Sequence, residues 1–222
     1  QTQVTGAAAL FPVADPANTG AFFALFGGNN VSISDANILN AGFEKGDVTG
    51  WNVEGDGRVI SQLGITIPVT GKFMGILSTG LGYTQQTGEL NQSFCIPSTA
   101  TDIAFYWKFF SEEFLEWCGS EFQDTFQATL ETASGQLTLV DVKVDDLCPA
   151  SECIGCGSQA VSLIPSDVSF DQGGVYNTQW QRFTSNVSTL AGSGPVTLRL
   201  FATDQGDSVY DTVILVDSIT FE

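Results

Sequence analysis

Apolar residues along this chain recur with a period of two or in short continuous runs, and Gly, Pro, Asn or Asp cuts off each run. That is the pattern of pleated strands with one or two buried faces, and no long segment keeps the i, i+3, i+4, i+7 spacing of an amphipathic helix. The pattern predicts strands over 31–39, 51–53, 58–62, 72–77, 88–94, 102–110, 124–131, 137–144, 179–186, 196–203 and 212–221. That many strands, joined by loops of ordinary length, predict an all-β fold: a two-sheet antiparallel β-sandwich of the jelly-roll kind. No repeat or linker divides it. Residues 38–222 are expected to form the sandwich and residues 1–37 an apolar N-terminal extension.

Acidic residues interrupt this pattern where they are costly. Phe109-Phe110-Ser111-Glu112-Glu113-Phe114 and Phe122-Gln123-Asp124-Thr125-Phe126 set carboxylates between large apolar side chains, and a third acidic group follows with Asp204, Asp207 and Asp211. In the last strand, Val213, Leu215, Asp217, Ile219 and Phe221 share one parity, which predicts Asp217 among core residues. A half-buried carboxylate requires a cation or a dense set of donors.

Composition makes a bound ion the obvious cation. The chain has 222 residues, 7 Lys plus Arg, 25 Asp plus Glu, no His and a net charge of −18. Oxygen ligands without imidazole point to Ca²⁺ rather than Zn²⁺ or a transition metal. The candidate ligands are Glu44, Glu112, Glu113, Asp124, Asp204, Asp207, Asp211 and Asp217. The same charge argues against nucleic acid and anionic membrane surfaces as partners, and no apolar stretch is long enough to span a bilayer.

Five cysteines and a first residue that is Gln1 rather than Met fit a mature exported protein, secreted or held at a cell surface. Sequons at Asn30, Asn91 and Asn186 permit glycosylation there. Cys148, Cys153 and Cys156 reproduce the first three positions of a plant-type iron–sulfur loop, but no cysteine follows to complete it, so disulfides are the expectation. Cys95 and Cys118 flank the strand over 102–110 and are plausible partners, with a second bridge inside the later trio. Without His, the common nucleophile–base arrangements are missing, and the chain is expected not to be an enzyme, although a glycosidase would need only two carboxylates.

Two resemblances add to this. Asn40-Ala41-Gly42-Phe43-Glu44-Lys45-Gly46 with Trp51, and Leu215-Val216-Asp217-Ser218-Ile219 at the other end, resemble the opening and closing strands of carbohydrate-binding jelly-roll modules. The resemblance implies a structural Ca²⁺ held by Glu44 and Asp217. Gly75-Ile76-Leu77-Ser78-Thr79-Gly80, Phe110-Ser111-Glu112-Glu113-Phe114, Asp124-Thr125-Phe126 and the segment Ala202 to Thr212 resemble the choice-of-anchor type of bacterial and archaeal surface domain, which implies a surface location more than an activity.

The N-terminal segment bears on function. Between Gln1 and Asn40 the charged residues are Asp15 and Asp35, while Phe11, Phe22, Phe23, Leu25 and Phe26 place apolar groups on both faces. Such a segment requires cover on both sides. Either it adds as a strand to another copy of the chain, as in pili, or it forms a strand or short helix of its own domain. The expectation is a Ca²⁺-stabilised structural subunit of an extracellular filament or surface assembly. The alternative is a Ca²⁺-dependent adhesion module binding glycan or peptide through loops and aromatics such as Trp51, Trp117 or Trp180.

Overall fold

The computed structural model describes residues 38–81, 86–159, 161–206 and 209–222, together with the backbone of 22–26 and 29–33. β1 (Phe22–Phe26) and β2 (Asn29–Ile33) pair antiparallel, Phe22 opposite Ile33, as a two-stranded sheet of their own. The other strands are β3 (Asn52–Ile60), β4 (Met74–Ser78), β5 (Thr87–Cys95), β6 (Asp102–Ser111), β7 (Thr125–Thr132) and β8 (Gly135–Lys143), then a one-turn helix α1 (Val144–Leu147). β9 (Ile164–Ser169), β10 (Gly174–Asn177), β11 (Gln181–Asn186), β12 (Pro195–Thr203) and β13 (Thr212–Phe221) follow. The chain is an all-β antiparallel sandwich. One sheet runs β3-β5-β12-β7-β8; the other runs β3-β4-β13-β6, with β10 and β11 side by side along β6 and β9 beyond β10.

β3 belongs to both sheets. Asn52 to Gly55 pair with β5, and Asp56 to Ile60 pair with β4. The corner falls at Gly55, whose φ is +61° and where a Cβ would lie 1.9 Å from the Thr87 carbonyl oxygen, so that no side chain fits there. The strands expected at 51–53 and 58–62 are therefore one bent strand. It closes one side of the sandwich. On the opposite side β8 pairs with β7 alone and β11 with β6 alone among the described residues, and the two edges stay apart.

The core between the sheets is built from alternate residues, as the period-two pattern requires. Phe94, Phe105, Phe109, Phe126, Leu200 and Ile214 are fully enclosed. Burying each stabilises by about 1.5–3 kcal/mol before ordering costs. A second cluster lies on the back of the β4-β13-β6 sheet, where Met74, Ile76, Phe110, Val213 and Leu215 are covered by Leu63, Phe170 and Trp180.

That second cluster corrects the parity expected for the last strand. Val213 and Leu215 face the outer cluster, while Ile214 and Val216 face the inner core. At Ser218 the backbone turns left-handed, φ 56°, and the pairing with β6 shifts between Asp217 and Thr220. The bulge moves Ile219 and Phe221 to the inner core, so Asp217 shares its face with Val213 and Leu215 but not with Ile219 and Phe221. β9 and β10 escaped the sequence pattern because their residues, Ile-Pro-Ser-Asp-Val-Ser and Gly-Val-Tyr-Asn, are mostly exposed or half-buried and do not alternate in polarity. Of the strand expected over 31–39, residues 31–33 belong to β2 and residues 34–37 lie outside the described residues. No helix among the described residues is long and apolar enough to cross a membrane.

Candidate functional site

Three loops meet at one end of the sandwich: the long one between β6 and β7, the turn between β9 and β10, and the connection from β12 to β13. Glu112 ties them. Its Oε1 accepts from the amides of Gln172 (2.9 Å) and Gly173 (2.8 Å), and its Oε2 from the amide of Asp211 (2.9 Å). Three backbone donors on one carboxylate are a substitute for a counter-ion. Carboxylate oxygens of Glu112, Asp171 and Asp211 lie within 4.8 Å of one another. Asp171 has no place among the sequence candidates; its signal is the Asp171-Gln172-Gly173-Gly174 turn, which delivers amides to Glu112.

Asp124 is treated differently. It is fully buried, its Oδ1 accepts from the Gln205 amide (3.1 Å), and its own amide donates to Glu113 Oε2 (3.0 Å). Oδ2 is buried with no hydrogen-bond partner. The nearby Thr212 hydroxyl spends its one proton on Ser111 Oγ (2.9 Å). Burial first, then the Glu113 carboxylate and to a lesser extent Asp204, push the Asp124 carboxyl up to about 9; the Gln205 amide offsets this only in part. Glu113 is itself 1% exposed, but the oxygens of Glu113, Asp124 and Asp204 are not among the described groups that come within 4.8 Å of one another. Asp207 lies outside the described residues.

Glu44 and Asp217 meet on one loop, over residues 70–73. Glu44 accepts from the amides of Lys72 (3.0 Å to both oxygens) and Phe73 (3.2 Å). Asp217, fully buried, accepts from the amides of Thr70 (3.0 Å) and Ser218 (2.6 Å). Burial raises the Asp217 carboxyl above the usual range, and these amides pull it part of the way back. Both acids are clamps on a backbone loop, held by donors the chain supplies itself.

The cysteines pair as Cys118–Cys148 and Cys153–Cys156. The expected Cys95–Cys118 bridge does not form. β6 has ten residues, which at roughly 3.3 Å per residue hold the segments before and after it about 30 Å apart, whereas a disulfide needs Cα atoms within about 7 Å. Residues that flank a strand in sequence sit at opposite ends of the sandwich. The Cys118–Cys148 bridge fastens the acidic loop to the segment after α1, and Asp145 reinforces it by accepting from the Gly119 amide (2.7 Å). Asp145 also lies beside Cys153 and Cys156, but their sulfurs are spent on each other and offer no thiolate.

A cleft of about 300 Å³ opens on the unclosed side between β8 and β11. Trp107, Leu139, Val140, Val142 and Phe183 make its apolar part, and Asp141, Gln159, Gln181 and Arg182 supply polar groups. A bulge opposite Ala128 and Thr129 buries Leu139 and Val140 in succession and leaves Asp141 exposed. Arg182 is ion-paired with Glu222. The sequence pattern did not single out these residues, because the cleft is a property of two edges that never meet.

Trp51, Trp117 and Trp180 are not exposed binding platforms. Trp51 is 6% exposed and stacks on Phe43 at 5.4 Å. Trp117 packs against Phe122 (5.0 Å) and Tyr210 (5.3 Å), and Trp180 against the outer cluster. Of the N-terminal candidates, Phe22, Phe23, Leu25 and Phe26 lie in β1, and Phe11 lies outside the described residues.

No protein-family model and no curated protein matches the chain. Among solved structures it is similar to TmCBM61 in complex with β-1,4-galactotriose, at 13% identity and a TM-score of 0.48, over 85% of this chain and 99% of that one. It is also similar to CBM28, a carbohydrate-binding module specific for non-crystalline cellulose, at 13% identity and a TM-score of 0.44, over 86% and 96%. A third is the K1 cleaved adhesin domain of Lys-gingipain from Porphyromonas gingivalis, at 13% identity and a TM-score of 0.42, over 82% and 96%. Likenesses at this level carry no argument about ligand or activity, and no family match stands behind the resemblance to choice-of-anchor domains.

Proposed function

We propose that the protein is a secreted, non-catalytic adhesion module that holds a glycan chain in the cleft between β8 and β11. The cleft itself carries this reading: its lining combines the apolar Trp107 and Phe183 with the polar residues Asp141, Gln159, Gln181 and Arg182. Few polar groups over an apolar floor orient a ligand rich in hydroxyls, and the volume is that of a small binding site. Two disulfides suit an oxidising, extracellular compartment. The test is binding of the whole chain to a panel of soluble and insoluble polysaccharides. At least one should bind, and Gln181→Ala should weaken it about tenfold while leaving the melting temperature unchanged. Absence of binding across the panel removes this reading.

A second reading takes the same cleft with another occupant, favoured by the unpaired edges of β8 and β11 and by the apolar N-terminal residues. Here residues 1–37 form a separate extension, and its strand from one copy enters the cleft of the next to build a filament. Electron microscopy separates the two. Polymers that vanish on deletion of residues 1–30, from a sandwich that still folds, establish the filament; a monomer that binds glycan establishes the adhesion module.

A further inference from the structure

After α1 the chain makes a tight corner, Cys153-Ile154-Gly155-Cys156-Gly157, whose two cysteines are bridged across a sequence separation of 3 with their Cα atoms 5.5 Å apart. A carboxylate oxygen of Asp145 lies within 4.8 Å of both sulfurs, and all three residues are half-buried rather than enclosed. We propose that this corner is a redox-gated metal site: when the Cys153–Cys156 bridge is reduced, the two thiolates and the Asp145 carboxylate take one Zn²⁺.

The corner keeps its shape without the bridge. Gly155 and Gly157 stand at φ 92° and 79°, and a Cβ at Gly157 would lie 2.9 Å from the Cys148 carbonyl oxygen, so the turn requires glycine there. The Gly157 amide donates to the Asp145 carbonyl (2.9 Å) and the Gln159 amide to that of Asp146 (2.9 Å). On the other side Cys153 packs on Gly119, where a Cβ would come 2.9 Å from the Cys153 Cβ, and the Gly119 amide holds Asp145 Oδ1 (2.7 Å). None of these contacts uses the Cys153–Cys156 bond. The second bridge, Cys118–Cys148, spans a sequence separation of 30 and has Cys148 1% exposed. An external thiol therefore meets the half-buried Cys153–Cys156 pair first.

A dithiol reductant opens the bridge by exchange. Its thiolate attacks one sulfur, the S–S bond breaks, the reductant leaves as a cyclic disulfide, and its two electrons remain with Cys153 and Cys156 as thiols. The pair then stands beside a carboxylate in a chain of net charge −18. Those charges keep both thiols protonated until a dication displaces the protons to solvent. Sulfur selects the ion, because thiolates favour Zn²⁺ over the hard cations that oxygen alone would take. Around a tetrahedral Zn²⁺ roughly 2.3 Å from each sulfur, the two sulfurs stand about 3.8 Å apart. Rotation of the two side chains supplies that spacing, Asp145 gives the third ligand and water the fourth. The metal then fastens the corner to α1 in the one state in which the disulfide is open.

The test uses the full chain, reduced with dithiothreitol under nitrogen and desalted, beside the oxidised chain and the variants Asp145→Asn and Cys156→Ser. Co²⁺ is the spectroscopic probe and Zn²⁺ its competitor. Alkylation and mass spectrometry should find Cys153 and Cys156 opened while Cys118–Cys148 is intact; opening of both bridges at the same rate overturns the gating. The reduced chain should bind one Co²⁺ with a thiolate charge-transfer band and the visible bands of tetrahedral coordination, both erased by Zn²⁺, and the oxidised chain should show neither. Asp145→Asn should weaken Co²⁺ binding by about tenfold or more, and Cys156→Ser should lose the tetrahedral bands. No thiolate band in the reduced chain overturns the proposal, and so does an undiminished band in the oxidised chain or in Cys156→Ser. Unchanged affinity in Asp145→Asn removes the carboxylate from the site. If Cys156→Ser does not fold, thermal melting of the reduced, unmodified chain decides. A melting temperature that rises with Zn²⁺ and falls back with chelator supports the site; a curve indifferent to Zn²⁺ overturns it.

Discussion

Glu89 and Asp124 are both carboxylates enclosed by the same sandwich, at 6% and 0% exposure, yet the fold provides for them in opposite ways. Glu89 lies on the outer face of the β5–β12 pair and faces Arg199, whose Nε and Nη2 reach its two oxygens at 2.8 and 2.6 Å; Asn91 adds a third donor at 2.9 Å. Arg199 also reaches Glu131 at 3.0 Å. Burial alone would raise the Glu89 carboxyl; hydrogen bonds from Arg199 and Asn91, with the Arg199 charge, outweigh it and hold it below the ordinary value. Asp124 has one amide and two like charges, and its carboxyl rises to about 9. With 7 basic side chains for 25 acidic ones, the chain cannot supply an Arg199 to every buried acid. It spends amides on Glu112, Glu44 and Asp217, and leaves Asp124 Oδ2 without a hydrogen-bond partner.

The largest expected effect comes from breaking the satisfied site. Arg199→Met removes both hydrogen bonds to Glu89 and leaves the carboxylate enclosed, which should cost about 2–3 kcal/mol at neutral pH, toward the low end of a broken buried pair because Arg199 is 35% exposed. Adding Glu89→Gln should recover at least half of that loss in urea unfolding. If Arg199→Met alone is neutral, the pair contributes nothing to stability and the contrast with Asp124 loses one side.

This contrast was half legible in the sequence. The runs Phe109 to Phe114 and Phe122 to Phe126 announced enclosed acids, and Glu112, Glu113 and Asp124 are enclosed. Sequence spacing did not show which acid would meet amides and which would not, because the donors to Glu112 come from Gln172, Gly173 and Asp211, 60, 61 and 99 residues away. The sandwich was legible because nine of its strands, β3 to β8 and β11 to β13, alternate or run apolar. Its corner at Gly55 and its bulge at Ser218 were not, since one residue in a left-handed conformation reverses which face follows and leaves no trace in the polarity pattern. The disulfide pairing failed for the same reason: order along the chain says nothing about which ends of strands meet.

A smaller effect follows from acidity, and its sign differs between the two sites. Glu89 has a folded pKa below its unfolded value, so its contribution is present above the ordinary carboxylate range and is lost as pH falls through the lower folded value. Asp124 has a folded pKa of about 9 against 3.8 unfolded, so in chelator its contribution is complete below about pH 4 and is lost progressively as pH rises toward 9. Chelated protein should therefore lose stability between pH 5 and pH 8 by urea unfolding, and Asp124→Asn should flatten that slope. An unmodified chain whose chelated stability rises over this range contradicts the assignment.

The smallest expected effect is also the most discriminating. In chelator at pH 7, replacing Asp124 by Asn removes a carboxyl group that is either protonated at a cost or ionised among like charges, and puts a neutral amide of the same shape in its place. The Gln205 amide keeps its acceptor, since the Asn carbonyl oxygen can take the position of Oδ1. The amide nitrogen then stands where the unpartnered Oδ2 was. The change should be neutral or stabilising by about 1 kcal/mol or less, even though most substitutions at a fully buried position destabilise. The corresponding Glu89→Gln change, by contrast, discards a charge that Arg199 was using and should destabilise. Chevron or equilibrium unfolding of the two single variants in chelator reads this difference directly. If Asp124→Asn loses as much as Glu89→Gln, then Asp124 is already satisfied by the chain, and the asymmetry between a carboxylate the fold pairs and one it leaves unpaired disappears.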